Sequence, residues 1–142
     1  MALQDGMLLL LQNDATYSGL VDALSTVPVG AVKQKGQAYP IVVYHQGTIL
    51  DELDTNGSTG FRTARVQFDA YSAKNYTEAK AIAKAIRDVF KNLNNTTLPD
   101  TDSTFVSAFW ITMESDMTVV PQGALTVEYR VMVEVTANYL ES

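Results

Sequence analysis

The chain carries one histidine and no cysteine, and that limits the chemistry it can perform. Without thiols there is no disulfide, no thiolate nucleophile and no thiolate metal site. A Ser-His-Asp system would have to be built on His45, with Ser58 or Ser72 as nucleophile. The Gly-x-Ser-x-Gly turn that exposes such a serine does not occur, because Gly57-Ser58-Thr59-Gly60 has a different spacing. Neither of the glycine-rich phosphate-binding patterns occurs. The string Glu52-Leu53-Asp54-Thr55-Asn56-Gly57 mimics the opening of a calcium loop, including its glycine. It fails where affinity is made: the position of the bidentate glutamate is Thr63, and the first ligand is Glu in place of Asp. The string is better read as a turn, with Asn56-Gly57 at its tip. A lone histidine in a run of β-formers reads as a strand residue. The residues thus predict no catalytic site, no metal site and no cofactor.

Two features point instead to contacts with other proteins. Gly47 to Gly60 is polar and rich in turn formers, and reads as a long exposed loop. Asp51, Glu52 and Asp54 crowd its middle, beside the apolar Ile49, Leu50 and Leu53. This stretch, Ile49 to Asp54, is the candidate partner-contact loop. The single tryptophan, Trp110, falls on the opposite side of its strand from Phe109 and Ile111. It reads either as part of a second small core under the first helix or as an interface anchor, since aromatics are enriched at binding hot spots.

The elements that must position these residues fit within 142 residues, the length of a single domain. Charged residues are only 18 % of the chain, and the difference from an average soluble domain is made up partly by fifteen Thr and fifteen Val. Both are β-branched, so a sheet should dominate. The net charge is −6, which disfavours nucleic-acid binding through phosphates and binding to an anionic membrane. Met7 to Leu11 is the longest apolar run near the start, so neither an export signal nor a membrane span is expected.

A leucine-rich helix is predicted from Leu3 to Asn13, then a short helical turn from Tyr17 to Leu24 capped by Thr16. Ala31 to Ala38 reads as loop. Pro40 leads a strand, Ile41 to His45. Phe61 to Tyr71 alternates strictly, with Ala64, Val66, Phe68 and Ala70 on one face and Thr63, Arg65, Gln67 and Asp69 on the other. A helix follows, capped by Asn75 with Glu78 three residues on, and striped by Ala79, Ile82, Ala83, Ile86 and Phe90 as far as Leu93. Lys80, Lys84, Arg87 and Lys91 lie off the stripe. Asn92 to Ser103 reads as loop. Thr104 to Glu114 is a strand whose apolar face is Phe105, Phe109, Ile111 and Met113. A long last strand, Leu125 to Tyr139, should leave some of its backbone unpaired. The expected class is α+β: a mostly antiparallel sheet of about four to five strands, a long helix on one face and a short N-terminal helix.

Three strings in order carry a family resemblance: Pro40-Ile41-Val42-Val43-Tyr44 after the leucine-rich helix, Arg65-Val66-Gln67-Phe68-Asp69-Ala70-Tyr71, and the helix Tyr76-Thr77-Glu78-Ala79-Lys80-Ala81-Ile82-Ala83-Lys84-Ala85-Ile86-Arg87. Together they resemble the tail-completion, or tail terminator, proteins of long-tailed bacteriophages over roughly residues 3–93. The resemblance implies a non-enzymatic virion subunit in the tail or neck, assembled in the host cytoplasm. It implies a homo-oligomeric ring, a hexamer, that caps the tail tube, stops its polymerisation and meets a head connector. DNA would pass through the lumen without being bound. The alternatives are a small ligand- or metal-binding enzyme domain and another head-tail connector protein.

Overall fold

The computed structural model describes residues 2–21, 26–28, 40–54, 57–72, 74–91, 93–99, 104–119 and 128–140. Among these residues, three helices, α1 (Ala2–Asn13), α2 (Ala15–Leu20) and α3 (Tyr76–Phe90), accompany six strands: β1 (Thr26–Pro28), β2 (Ile41–Asp54), β3 (Gly57–Ser72), β4 (Asn94–Thr97), β5 (Phe105–Val119) and β6 (Glu128–Leu140). They form one sheet in the order β1-β2-β3-β6-β5-β4. All pairings are antiparallel except β1 with β2. The mixed α+β class, the antiparallel sheet and the short N-terminal helix agree with the sequence, and the sheet has six strands against the four to five expected.

The alternation of β3 sets the core. Ala64, Val66, Phe68 and Ala70 are buried, and register places them against Ala137, Val135, Val133 and Val131 of β6. Over this face lies α3, which buries Ala79, Ile82, Ala83, Ala85, Ile86 and Phe90. Phe90 stacks on Phe68 at 6.0 Å between ring centroids and meets Phe109 of β5 at 5.0 Å. At the other end of the helix, Tyr76 meets Tyr129 edge-on at 6.1 Å. The Asn75 side chain caps α3 by accepting from the Glu78 backbone N–H at 2.8 Å. Glu78 does not return the bond as a capping box would. It accepts from the Ser72 hydroxyl at 2.7 Å, and Ser72 Oγ accepts from the Asn75 N–H at 3.3 Å. The serine thus relays the closure from the end of β3.

Leu3, Met7 and Leu11 of α1 are buried, while Leu8, Leu9 and Leu10 are half-buried. Gly6 faces Leu98 so closely that a Cβ there would stand 2.7 Å from the leucine side chain. The expected cap Thr16 is replaced by Asp14, whose carboxylate accepts from the Tyr17 N–H at 2.9 Å. The helix begins earlier than the apolar pattern suggested because this carboxylate satisfies its first turn. Tyr17 is buried, and its hydroxyl shares a 2.7 Å hydrogen bond with Thr26 of β1. Burial raises the Tyr17 phenol to about 12, partly offset by the bond from Thr26.

Several sequence expectations are corrected by pairing. Gly47 to Gly60 is not a loop: β2 runs on to Asp54 and β3 starts at Gly57, with Leu50 opposite Thr63, Asp51 opposite Arg62 and Asp54 opposite Gly57. Backbone hydrogen bonds extend a strand through polar sequence that has no apolar alternation of its own. Asn94–Thr97, read as loop, is edge strand β4 on β5. The last strand has no free edge along its paired length, because β6 lies between β3 and β5. On β5, Val106 and Phe109 share the buried face while Phe105 is only half-buried. A register shift between Val106 and Ala108 explains it, since one extra residue inverts the alternation. The expected loop Ala31–Ala38, the tip residue Asn56, Leu24, and the start of the last strand at 125–127 lie outside the described residues.

Candidate assembly surfaces

The sheet has two unlike faces. The face away from the helices is threaded by polar groups that bond to one another. Arg130 Nη2 donates to Asp69 Oδ1 at 3.0 Å, and Gln67 Nε2 donates to both Asp69 oxygens at 3.1 and 3.2 Å. Thr136 donates to Thr112 at 3.0 Å, and Thr112 in turn to Glu134 Oε1 at 2.8 Å. Ser107 donates to Asn138 Oδ1 at 2.5 Å, while Asn138 Nδ2 donates to Thr63 at 3.3 Å. Trp110 sits within this polar surface, opposite Thr136, and is 42 % exposed. It therefore does not belong to the helix-side core, and the described residues set no helix over it.

The nucleophile constellation is not assembled. His45 lies on β2 opposite Gln67, and its side chain is half-buried. Ser72 is five residues further along β3, roughly 17 Å at strand rise, and its hydroxyl is engaged at the α3 cap. Ser58 is nine residues away in the other direction, opposite Leu53. Of the calcium-like string, Glu52, Leu53 and Asp54 lie at the end of β2 and Gly57 at the start of β3. Among the described residues no group of three or more His, Cys, Asp or Glu could hold a metal ion. No described helix is long and apolar enough to cross a membrane.

The candidate contact residues Ile49, Leu50, Asp51, Glu52, Leu53 and Asp54 all belong to the outer half of β2. Ile49 is half-buried against the core. Register slips twice along this arm, between Gln46 and Ile49 and between Asp51 and Leu53. The second slip faces Gly60, whose φ of +87° is left-handed and suits glycine. Phe61 is the last β3 residue paired with β6, opposite Leu140. Four further residues of β3 continue to Gly57, with no β6 partner among the described residues. Trp110 is three strands away across the sheet, so the structure does not join it to this hairpin.

A second charged surface was not singled out from sequence. Lys80, Ala83, Lys84 and Arg87 of α3, with Glu114 of β5 and Val131 of β6, line a groove of about 270 Å³. Arg87 reaches Glu114 at 3.4 Å, and Lys80 lies 5.0 Å from the Tyr76 ring centre. Asp88 holds Lys84 at 3.0 Å and Lys91 at 3.2 Å. Those two hydrogen-bonded ammonium groups hold the Asp88 carboxyl below the usual carboxylate range. The sequence signal was present: four cations recur at helical spacing from Lys80 to Lys91 in an acidic chain.

No protein family and no curated protein matches this sequence. Among solved structures, the fold matches a chain in the "Virion of native gene transfer agent (GTA) particle". The TM-score is 0.71 at 18 % identity, and the match covers 99 % of this chain and 96 % of that one. The chain thus shares the fold of a virion component over nearly its full length.

Proposed function

We propose that this chain, as one domain spanning residues 1–142, is a structural, non-enzymatic subunit of a bacteriophage or phage-like virion. In this reading it forms a homo-oligomeric ring, a hexamer, at the end of the tail tube. The ring stops tube polymerisation and joins the tail to the head connector. The single observation that carries the reading is the near end-to-end fold match to a virion chain. The tail-completion strings Pro40 to Tyr44, Arg65 to Tyr71 and Tyr76 to Arg87 support the position within the virion, and they fall on β2, β3 and α3. The separation of His45 from Ser58 and Ser72 supports a structural over a catalytic role.

Assembly takes place in the host cytoplasm, and the ring ends in the tail or neck of the virion. The outer arm of β2, Ile49 to Asp54, and Trp110 serve as its partner contacts. Each copy carries −6, so DNA moving through the lumen meets a surface that repels it. A connector at another level of the neck is the second reading, favoured by the fact that the matching chain is described only as part of a virion.

The test is complementation of a deletion phage, read by electron microscopy. Overlong tails without the protein support the terminator role. Normal tails that fail to join heads support the connector role. Normal, infectious particles in its absence refute both.

A further inference from the structure

We infer that the outer edge of β5 pairs with the outer edge of β2 in a second copy of this chain, so that one sheet runs on across the subunit boundary. The inference rests on the ring reading and names the contact that closes the ring. The sheet of one copy is flanked by two short strands, and each covers only part of its neighbour. β1 pairs with β2 from Val42 to Tyr44, and among the described residues no strand pairs with that edge from His45 to Asp54. β4 pairs with β5 as far as Ala108, and the Phe109 N–H donates to the Leu93 carbonyl at 3.3 Å. From Trp110 to Val119 that edge again carries no strand among the described residues. Each run is about ten residues long, and its outward N–H and C=O groups form a template for another strand.

The two runs fit each other in length, sense and position. Three antiparallel steps separate β2 from β5 within one copy, so the two are antiparallel. Copies that follow one another around a ring keep that relation, and β5 of one meets β2 of the next as an antiparallel pair. The runs lie toward opposite ends of the sheet. Leu50, near the middle of the β2 run, shares a row with Thr63 and Asn138, whereas Glu114, near the middle of the β5 run, is opposite Val133. Asn138 and Val133 are five residues apart on β6, roughly 17 Å at strand rise. Joining the two middles therefore staggers successive copies by that distance along the strands. Four strands, β2, β3, β6 and β5, separate one seam from the next, roughly 19 Å at strand spacing. Such a stagger closes into a level ring when the strands tilt by about 42°, within the range of about 35–45° found for closed sheets. β1 and β4 do not obstruct the seam, because each borders the far end of its strand and falls past the end of the facing run. The pairing also brings Trp110 and the arm Ile49 to Asp54, three strands apart in one copy, to a single seam. The two edges differ, so the contact is heterologous, and such contacts build rings or filaments in place of two-fold dimers.

The test exploits the absence of cysteine from the native chain. Full-length Leu50→Cys/Ser115→Cys should form a disulfide between copies on air oxidation, since opposed Cα atoms of an antiparallel pair stand about 4.5–5.5 Å apart. Leu50→Cys combined with Met113→Cys or Met117→Cys covers a slip of two residues in either direction. Far-UV circular dichroism and the melting temperature check that each variant is folded, and one that fails is replaced by Asp51→Cys/Glu114→Cys in the neighbouring row. Non-reducing gels of the best-matched pair should show a ladder of linked copies up to the native mass of the assembly, collapsed by reductant. Leu50→Cys alone and Ser115→Cys alone should stay unlinked, and a mixture of those two should stop at linked pairs. A single variant that links to itself reveals a two-fold seam and overturns the proposal. Assemblies of native mass in which no pair links overturn the edge pairing while leaving the ring reading intact. A native chain that stays monomeric at all concentrations and in the presence of tail tubes overturns both.

Discussion

Replacing Phe90 tests whether α3 is docked as described. The ring is fully buried, stacked on Phe68 and tilted against Phe109, so it joins the helix to β3 and β5 together. Phe90→Ala removes the buried ring and leaves a cavity, a change that costs about 3–5 kcal/mol. Phe90→Leu keeps most of the volume but breaks both ring pairs, each worth roughly 0.5–1.5 kcal/mol, so its cost should be about 1–3 kcal/mol. Against a total stability of about 5–15 kcal/mol, the alanine variant should lose about a fifth or more of the margin. At roughly 2–4 °C per kcal/mol, its melting temperature should fall by about 6–20 °C. Urea unfolding followed by far-UV circular dichroism reads both variants, at one fixed protein concentration so that assembly does not shift the midpoint. An alanine variant that loses less than about 1 kcal/mol, or a leucine variant as damaged as alanine, refutes the docking of α3 through this aromatic cluster.

Ile86→Ala should cost about 2–5 kcal/mol, because Ile86 is fully buried in the stripe facing Phe68 and Val133; calorimetry checks it. Gly6→Ala should destabilise despite the better helix propensity of alanine, because the new Cβ meets the Leu98 Cβ and Cδ1 at 2.7 Å, and Leu98→Ala should not rescue it, since the Cβ contact remains. A stabilised Gly6→Ala would mean that α1 does not approach Leu98 so closely. Asp88→Asn should cost a few tenths of a kcal/mol near neutral pH, as expected for exposed ion pairs. The native carboxyl is depressed, so its contribution is present above the ordinary carboxylate value and disappears as pH falls through the folded value. A stability difference between the native chain and the Asp88→Asn variant that persisted at low pH would contradict that. Tyr17 is raised from 10.0 to about 12, so the folded state holds a proton that the unfolded chain releases in that window. Stability should fall there by about 1.4 kcal/mol per pH unit, and Tyr17→Phe should abolish that part of the slope in pH-dependent urea unfolding.

Period-two and period-3.6 patterns were legible wherever one side of an element is buried and the other is not. That is why β3 and α3 agree with the sequence in position and in face: Val66 and Phe68 inward, Arg65 and Gln67 outward. The signal fails where backbone pairing, not burial, holds a strand. Asn94–Thr97 is polar and mostly exposed, and it becomes β4 because the edge of β5 offers hydrogen bonds. Asp51 to Asp54 became strand for the same reason, through pairing with β3. Neither carries a side-chain pattern that could reveal it. The inverted facing of Phe105 was hidden because a bulge at Ser107 leaves no mark on composition. Of the candidate surface residues, Trp110 was legible as facing away from the core. The four cations from Lys80 to Lys91 were legible as residues off the apolar stripe of α3, but the pairing of Arg87 with Glu114 was not, because the two stand twenty-seven residues apart.

The polar and charged groups on both sides of the sheet are bonded to one another within the chain. On the sheet face, Asp69 is bonded by Arg130 and Gln67, Thr112 bonds Thr136 and Glu134, and Asn138 bonds Ser107 and Thr63. Groups already bonded to one another gain little from a protein partner and lose little against water. Trp110, 42 % exposed, lies among these bonded groups. The cations beside α3 are paired in the same way, Lys84 and Lys91 with Asp88 and Arg87 with Glu114. Thr136 is buried, so Thr136→Val keeps its shape and removes its bond to Thr112, and should lower stability by about 0.5–1.5 kcal/mol, the net value of a hydrogen bond. Urea unfolding reads the change, and an unmoved midpoint would contradict the bond.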